Sequence, residues 1–200
     1  MKNEQIINIL LRTSNRPNLF RETLYQIKSQ GYNNYNLLVS VDNLHSKEYV
    51  EKENIQPILL TKEIRKNENH NPYNLYFNEL LKFVKNGWIW FIDDDDKLDT
   101  LALQKINKAC KNENIIYIFK LFHEYLDRTI PSEFATNNKL IRFADISTQN
   151  FIVHSKFKHL INWEPIRGGD FKVINSLSEK IPVQFINDFI YYIKRPQHGK

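Results

Sequence analysis

Trp88-Ile89-Trp90-Phe91-Ile92 runs without a break into Asp93-Asp94-Asp95-Asp96. The apolar part has the length and composition of a buried strand, rich in aromatic and β-branched residues and free of polar positions. Asp is a poor strand former, so the strand should end where the acids begin. That places concentrated negative charge at the carboxyl end of a central strand, where open α/β sheets bind their ligands. Adjacent carboxylates raise one another's pKa unless positive charge sits among them. A divalent cation that prefers hard oxygen donors, Mn²⁺ or Mg²⁺, would relieve the repulsion. A solvated acidic loop after a strand is the other reading.

The flanking sequence supplies the rest of an α/β pattern. Ile6–Leu11 reads as a first buried strand, followed by the polar turn Arg12-Thr13-Ser14-Asn15-Arg16-Pro17. Residues 18–30 carry Leu19, Phe20, Leu24 and Ile27 at helical spacing, with Gly31 as a stop. A second strand at Asn36–Val41 completes a β-α-β crossover, which implies parallel strands. A short strand is expected at Ile55–Leu60, a polar mobile loop at 62–72, and a helix at Tyr73–Val84 closed by Asn86-Gly87. Beyond the acids, a helix is expected at Leu98–Cys110 and a strand at Ile115–Phe122. The choppier C-terminal part suggests strands at Leu140–Phe143, Phe151–Val153, Val183–Ile186 and Phe189–Ile193, and a helix at Asp170–Leu177. The expected fold is α/β, a mostly parallel core with a smaller mixed part.

At 200 residues the chain suits one domain with a sizeable core. Its formal net charge of +5 is scattered, and a diffuse positive surface does not choose among anionic partners. The acidic run argues against nucleic acid, whose phosphates it would repel. Cys110 is the sole cysteine, which excludes an intrachain disulfide and a cysteine-based zinc site. The apolar start is too short to span a membrane and lacks a signal-peptide layout, so a cytoplasmic protein, peripheral to a membrane at most, is expected.

Four further places can carry chemistry. The Arg12–Pro17 loop offers free backbone N–H groups and Arg16 to a phosphate or base, or is an ordinary loop in which Ser14 or Asn15 caps the helix. Asp42, ending the second strand, can accept hydrogen bonds from a ribose or base, or form a turn with Asn43. Asp170, after Gly168-Gly169, is a helix cap or a carboxylate that takes a proton from a hydroxyl nucleophile. His198 is a metal ligand or a solvated tail residue. Neither Gly-x-x-x-x-Gly-Lys nor Gly-x-Gly-x-x-Gly occurs, which removes the commonest nucleotide-binding folds.

Taken in chain order, these pieces resemble the family 2-like glycosyltransferases of the GT-A fold. The strand Ile9-Leu10-Leu11 followed by Arg12–Pro17 is similar to the family's opening strand and Asn-Arg-Pro loop. Leu38–Asp42 is similar to its second strand, Asn78 to an Asn on the helix before the acidic motif, and Gly87 to a following Gly. Asp93–Asp96 resembles the DXD motif, Asp170 the later catalytic Asp, and His198 a metal-ligating His. Two positions depart from the pattern: Asn43 stands where a second acid is frequent, and Gly169 where Glu usually precedes the catalytic Asp.

The resemblance implies metal-dependent transfer of a sugar, with inversion, from a nucleoside diphosphate sugar to a glycan, lipid-linked or protein hydroxyl. It implies Asp95, Asp96 and His198 at a Mn²⁺ or Mg²⁺ ion, and Asp170 as general base. Thr13, Arg16, Asp42, Asn78, Asp93, Asp94 and Arg167 would hold the sugar nucleotide, with Arg167 on a phosphate or positioning the acceptor. One catalytic domain would fill residues 1–200, with 1–97 the nucleotide-binding half and 98–200 the acceptor-side half. Two rival readings remain: a sugar-nucleotide nucleotidyltransferase, which would open with a Gly-rich loop that Arg12–Arg16 lacks, and a non-catalytic carbohydrate-binding module, which would need no converging acids.

Overall fold

The computed structural model describes residues 5–60 and 72–194. The expectations for His198 and for nearly all of the 62–72 loop therefore lie outside the described residues. In chain order the elements are β1 (Ile7–Thr13), α1 (Pro17–Lys28), β2 (Tyr35–Val41), α2 (Leu44–Glu51) and β3 (Ile58–Leu59). A 3-10 turn (Pro72–Asn74) leads into α3 (Leu75–Leu81), β4 (Trp88–Asp93), β5 (Lys97–Leu98), α4 (Ala102–Ala109), β6 (Ile116–His123) and β7 (Arg128–Ile130). Then follow α5 (Glu133–Asn137), β8 (Phe151–His154), α6 (Gly169–Ser178) and β9 (Val183–Ile193), with 3-10 turns flanking β8.

All strands among the described residues join one mixed sheet. Its order is β3-β2-β1-β4-β8-β6-β9-β5, with β7 on β6. The first four strands of that order run parallel, as the β-α-β reading requires. The expected mixed part continues the same sheet through antiparallel β8, and β9 lies parallel to β6. β4 explains why the sheet is covered on both faces. Successive side chains point to opposite sides. Trp88, Trp90 and Ile92 pack with Phe20, Leu24, Leu103 and Ile106 of α1 and α4. Ile89 and Phe91 pack with Phe77 and Leu80 of α3 and with Ile174 and Leu177 of α6. An apolar run with no polar position is what a strand buried on both faces needs.

Several boundaries differ from the sequence expectations. α3 stops at Leu81, and Gly87 serves as the turn into β4 instead of a helix cap. Leu140–Phe143 is irregular; Leu140 and Phe143 are exposed, so no buried face recruits them into a strand. The two C-terminal strands are one, β9. A register irregularity near Lys120 on β6 accommodates its polar Asn187-Asp188 interruption.

Gly87 has φ +90, and a Cβ there would lie 2.4 Å from the Ile6 carbonyl oxygen, which also accepts the Trp88 N–H at 2.8 Å. Gly87→Ala is expected to destabilise the chain by about 2 kcal/mol or more, because the strained φ and the backbone collision add. A urea midpoint unchanged from that of the parent chain would contradict this.

Candidate functional site

The parallel register places Arg12 directly opposite Asp93, one from the end of β1 and the other at the end of β4. Their side chains form a bidentate ion pair, Arg12 Nε with Asp93 Oδ1 and Nη2 with Oδ2, the latter at 3.0 Å. The Arg12 guanidinium also lies over the Phe77 ring, 4.8 Å from its centroid. Gln149 Nε2 donates to Asp93 Oδ2 at 2.7 Å. The Tyr191 hydroxyl fixes the Asp93 backbone from β9, accepting its N–H at 3.1 Å and donating to its carbonyl at 3.0 Å. Asp93 is thus held from three sides.

The acidic run divides its labour. Asp94 turns inward, where the Thr13 hydroxyl donates to Oδ2 and the Thr23 hydroxyl donates to the backbone carbonyl at 3.1 Å. Arg16 joins two acids, with Nη2 2.5 Å from Asp94 Oδ1 and Nη1 2.5 Å from Asp95 Oδ2. Burial outweighs Arg16 and the Thr13 hydrogen bond, and pushes the Asp94 carboxyl up to about 7. Asp96 is buried with less compensation. Burial, then Asp93 and Asp95, push its carboxyl up to about 8, against the Lys194 N–H that donates to Oδ1 at 3.0 Å.

Asp93, Asp95 and Asp96 each bring one carboxylate oxygen within 4.8 Å of the others. These hard oxygen donors, and a buried carboxyl short of positive charge, fit Mn²⁺ or Mg²⁺. Asp94 is outside this trio because its oxygens serve Thr13 and Arg16.

Beside the trio lies a cavity of about 380 Å³, lined by Arg12, Thr13, Ser14, Arg16, Tyr73, Tyr76, Asp93 and Asp95. The loop after β1 does not cap α1 with Ser14 or Asn15. Arg16 occupies the cap position without a side-chain bond, and Pro17 starts the helix. Ser14 Oγ instead donates to Asp42 Oδ2 at 2.8 Å, and the Asn15 N–H to Ser46 Oγ at 2.9 Å. Asp42 also accepts from the Tyr76 hydroxyl at 2.9 Å and from Asn43 Nδ2 at 2.6 Å. Burial and the neighbouring Asp42 push the Tyr76 hydroxyl pKa upward, so it stays a neutral donor. Tyr73 and Tyr76 meet edge-on, with centroids 5.7 Å apart.

Asp170 sits in the first turn of α6, behind Gly168 in the left-handed conformation (φ 76). Gly168, not Asp170, holds the cap position. Asp170 Oδ1 accepts the Phe171 N–H at 2.8 Å. Burial raises its pKa, and Arg12 and Asp93 are the side-chain charges acting on it, so it shares the electrostatic field of the acidic floor.

Two predicted residues are not brought to this cluster. Asn78 spends its amide on the Trp163 backbone, donating to the carbonyl at 2.8 Å and accepting the N–H at 2.9 Å. Arg167 is exposed and lines a separate groove with Phe143 and Phe171. Arg12, Tyr73, Tyr76, Gln149 and Tyr191 have no individual site role in the sequence pattern. Among them Arg12 alone carries a local signal, a charge near the end of a mostly apolar strand.

The fold is shared with solved glycosyltransferase structures. S. aureus TarS 1–349 in complex with UDP-GlcNAc superposes with a TM-score of 0.71 at 16% identity, over 96% of this chain and 59% of that one. Glucosyl-3-phosphoglycerate synthase from Mycobacterium tuberculosis, in complex with Mn²⁺, UDP and glucosyl-3-phosphoglycerate, gives 0.67 at 11% identity, over 98% of this chain and 74% of that one. The chain spans about 60% of the TarS 1–349 fragment. No helix among the described residues is long and apolar enough to cross a membrane. A comparison with curated protein sequences finds no match. The family described as glycosyl transferase family 2 matches residues 9–174, most of the chain and every residue of the acidic floor. This chain belongs to glycosyl transferase family 2.

Proposed function

We propose that the chain transfers a sugar from a nucleoside diphosphate sugar to an acceptor hydroxyl, with inversion at the anomeric carbon. The observation that carries this reading is the gathering of Asp93, Asp95 and Asp96 oxygens beside the cavity, within the same electrostatic field as Asp170. The cavity takes the nucleoside, framed by Thr13 and Arg16; Asp42, bonded to the lining residues Ser14 and Tyr76, would accept hydrogen bonds from ribose or base. Asp93, Asp95 and Asp96 would hold Mn²⁺ or Mg²⁺, with His198 as a further ligand candidate from the C-terminal residues. When bound, the ion neutralises charge on the diphosphate leaving group. Asn78 and Arg167 are left out of the donor set, since the Asn78 amide is satisfied by Trp163 and Arg167 lies on another groove.

Asp170 takes the proton of the acceptor hydroxyl as its oxygen bonds to the anomeric carbon. The bond from that carbon to the diphosphate oxygen breaks, and the nucleoside diphosphate departs with the electron pair. Arg12 clamps Asp93 on this floor, and Tyr191 fixes the backbone beneath it.

Isothermal titration with UDP and with GDP, each with and without Mn²⁺, tests the donor half of the reading. Mn²⁺ is expected to strengthen binding of one of them at least about tenfold, or ~1.4 kcal/mol. Nucleotide binding that ignores Mn²⁺, or no binding, would refute it. A hydrolysis screen over UDP-GlcNAc, UDP-glucose, UDP-galactose and GDP-mannose then identifies the donor.

A further inference from the structure

We propose that Asn74 is a positioning residue that ties the Asp170 turn to the acidic floor, so that the base and the donor site keep one spacing. The proposal rests on the reading of Asp170 as general base. Asn74 closes the 3-10 turn before α3 and is only 7% exposed. Its side chain makes no capping bond to its own helix. The amide is spent on distant parts of the chain. Nδ2 donates to the Glu164 carbonyl at 3.0 Å and to the Ile166 carbonyl at 3.1 Å. Oδ1 accepts from Arg12 Nη1 at 3.5 Å, a long contact from the same guanidinium that grips Asp93. One buried amide therefore joins β1 and β4 to the segment from which α6 springs.

The two carbonyls that Asn74 holds also build the turn before α6. Glu164 C=O accepts the Ile166 N–H at 2.8 Å, and Ile166 C=O accepts the Gly169 N–H at 3.2 Å. Asn74 thus braces the turn whose next residue is Asp170.

Gly169 bears the mark of this contact. A Cβ on Gly169 would lie 2.5 Å from Asn74 Nδ2 and 3.1 Å from the Glu164 carbonyl oxygen. Unlike Gly168, Gly169 has no positive φ, so its backbone would accept any residue. Within a helix, Gly is disfavoured relative to Ala. Its presence answers to the close approach of Asn74, and this also accounts for the lack of Glu before Asp170.

Freed from Asn74, the first turn of α6 can shift, and a displacement of about 1 Å at a reacting group costs up to ~100-fold in rate. Two arms test this. The first needs no substrate: Tm is measured for Asn74→Ala, Gly169→Ala and the double variant. Gly169→Ala alone should lower Tm by about 4 °C or more, and most of that loss should vanish once Asn74 is Ala, with only the 3.1 Å approach to the Glu164 carbonyl left to relax. Additive losses would overturn the contact.

The second arm follows nucleoside diphosphate release from whichever of the four screened sugar nucleotides is turned over fastest. Asn74→Ala and Asn74→Asp should lower kcat about 10- to 100-fold, with KM for the donor within about twofold of the parent. Asn74→Asp keeps the shape and the acceptor oxygen for Arg12 but cannot donate to the carbonyls, so it should match Asn74→Ala. Neither change should lower the residual turnover of Asp170→Asn any further. A similar fold-loss in the Asp170→Asn background, or a loss confined to donor KM, would overturn positioning through Asp170. Full activity of Asp170→Asn itself would instead remove the base reading, and the Tm cycle would still report on the contact.

Discussion

Asp170→Asn is expected to lower kcat for sugar transfer by about 10²- to 10⁴-fold, the range that loss of a general base commands. The change is nearly isosteric. The Asn Oδ1 can still accept the Phe171 N–H that Asp170 accepts at 2.8 Å, so α6 keeps its first turn. What disappears is the ability to take a proton from the acceptor hydroxyl. Nucleotide affinity, read by titration with UDP or GDP and Mn²⁺, should stay within about twofold, because the cavity lining does not include Asp170. Burial raises the Asp170 pKa, so the base form is lost on acidification at a higher pH than an exposed carboxylate would show. The acid limb of the kcat profile should therefore lie above the ordinary Asp range. A large fall in affinity, with kcat spared, would make Asp170 a donor contact and not a base.

How much of this was legible in the sequence depends on how far each feature reaches along the chain. Trp88–Ile92 could be read because a strand buried on both faces needs only apolar residues in a row, and both faces are indeed covered. The break after it could be read because four carboxylates cannot continue such a strand. Arg12 and Asp93 are 81 residues apart, and only the β1–β4 register makes them a pair. Tyr191 reaches Asp93 across 98 residues through β9, whose polar Asn187-Asp188 step made one strand look like two. Lys97–Leu98 and Arg128–Ile130 are too short for any period to show, so β5 and β7 emerge only from their partners. Resemblance matches Asn78 to the site, yet whether an amide faces a ligand or a neighbouring backbone is decided by packing. Here Trp163 claims both of its ends. Asn74, four residues earlier and unremarked in the pattern, holds the bridging place instead.

Metal-free protein is expected to lose stability as pH rises from 5 to 8, the reverse of what paired surface carboxylates produce. Burial lifts Asp94 to about 7 and Asp96 to about 8, well above the ordinary Asp range. Across that window the unfolded chain has released both protons while the folded chain still holds them. The folded state binds more protons, so stability is greatest below the unfolded pKa and falls until pH passes the folded values. Each pKa unit is worth about 1.4 kcal/mol, which makes the combined fall on the order of 5 kcal/mol, a large share of the stability of a domain this size. Thermal melts in EDTA from pH 5 to 8 measure it. Mn²⁺ supplies the missing positive charge, and at a hundredfold excess over its Kd should return about 2.7 kcal/mol at pH 8. Asp96→Asn carries the protonated shape without the charge. At pH 8 and free of metal it should melt above the parent chain, with a shallower pH slope and a weaker response to Mn²⁺. A metal-free parent whose Tm is level or rises between pH 5 and 8 would mean that Arg16 compensates Asp94 fully, and that Asp96 too keeps an ordinary carboxylate pKa in the folded state.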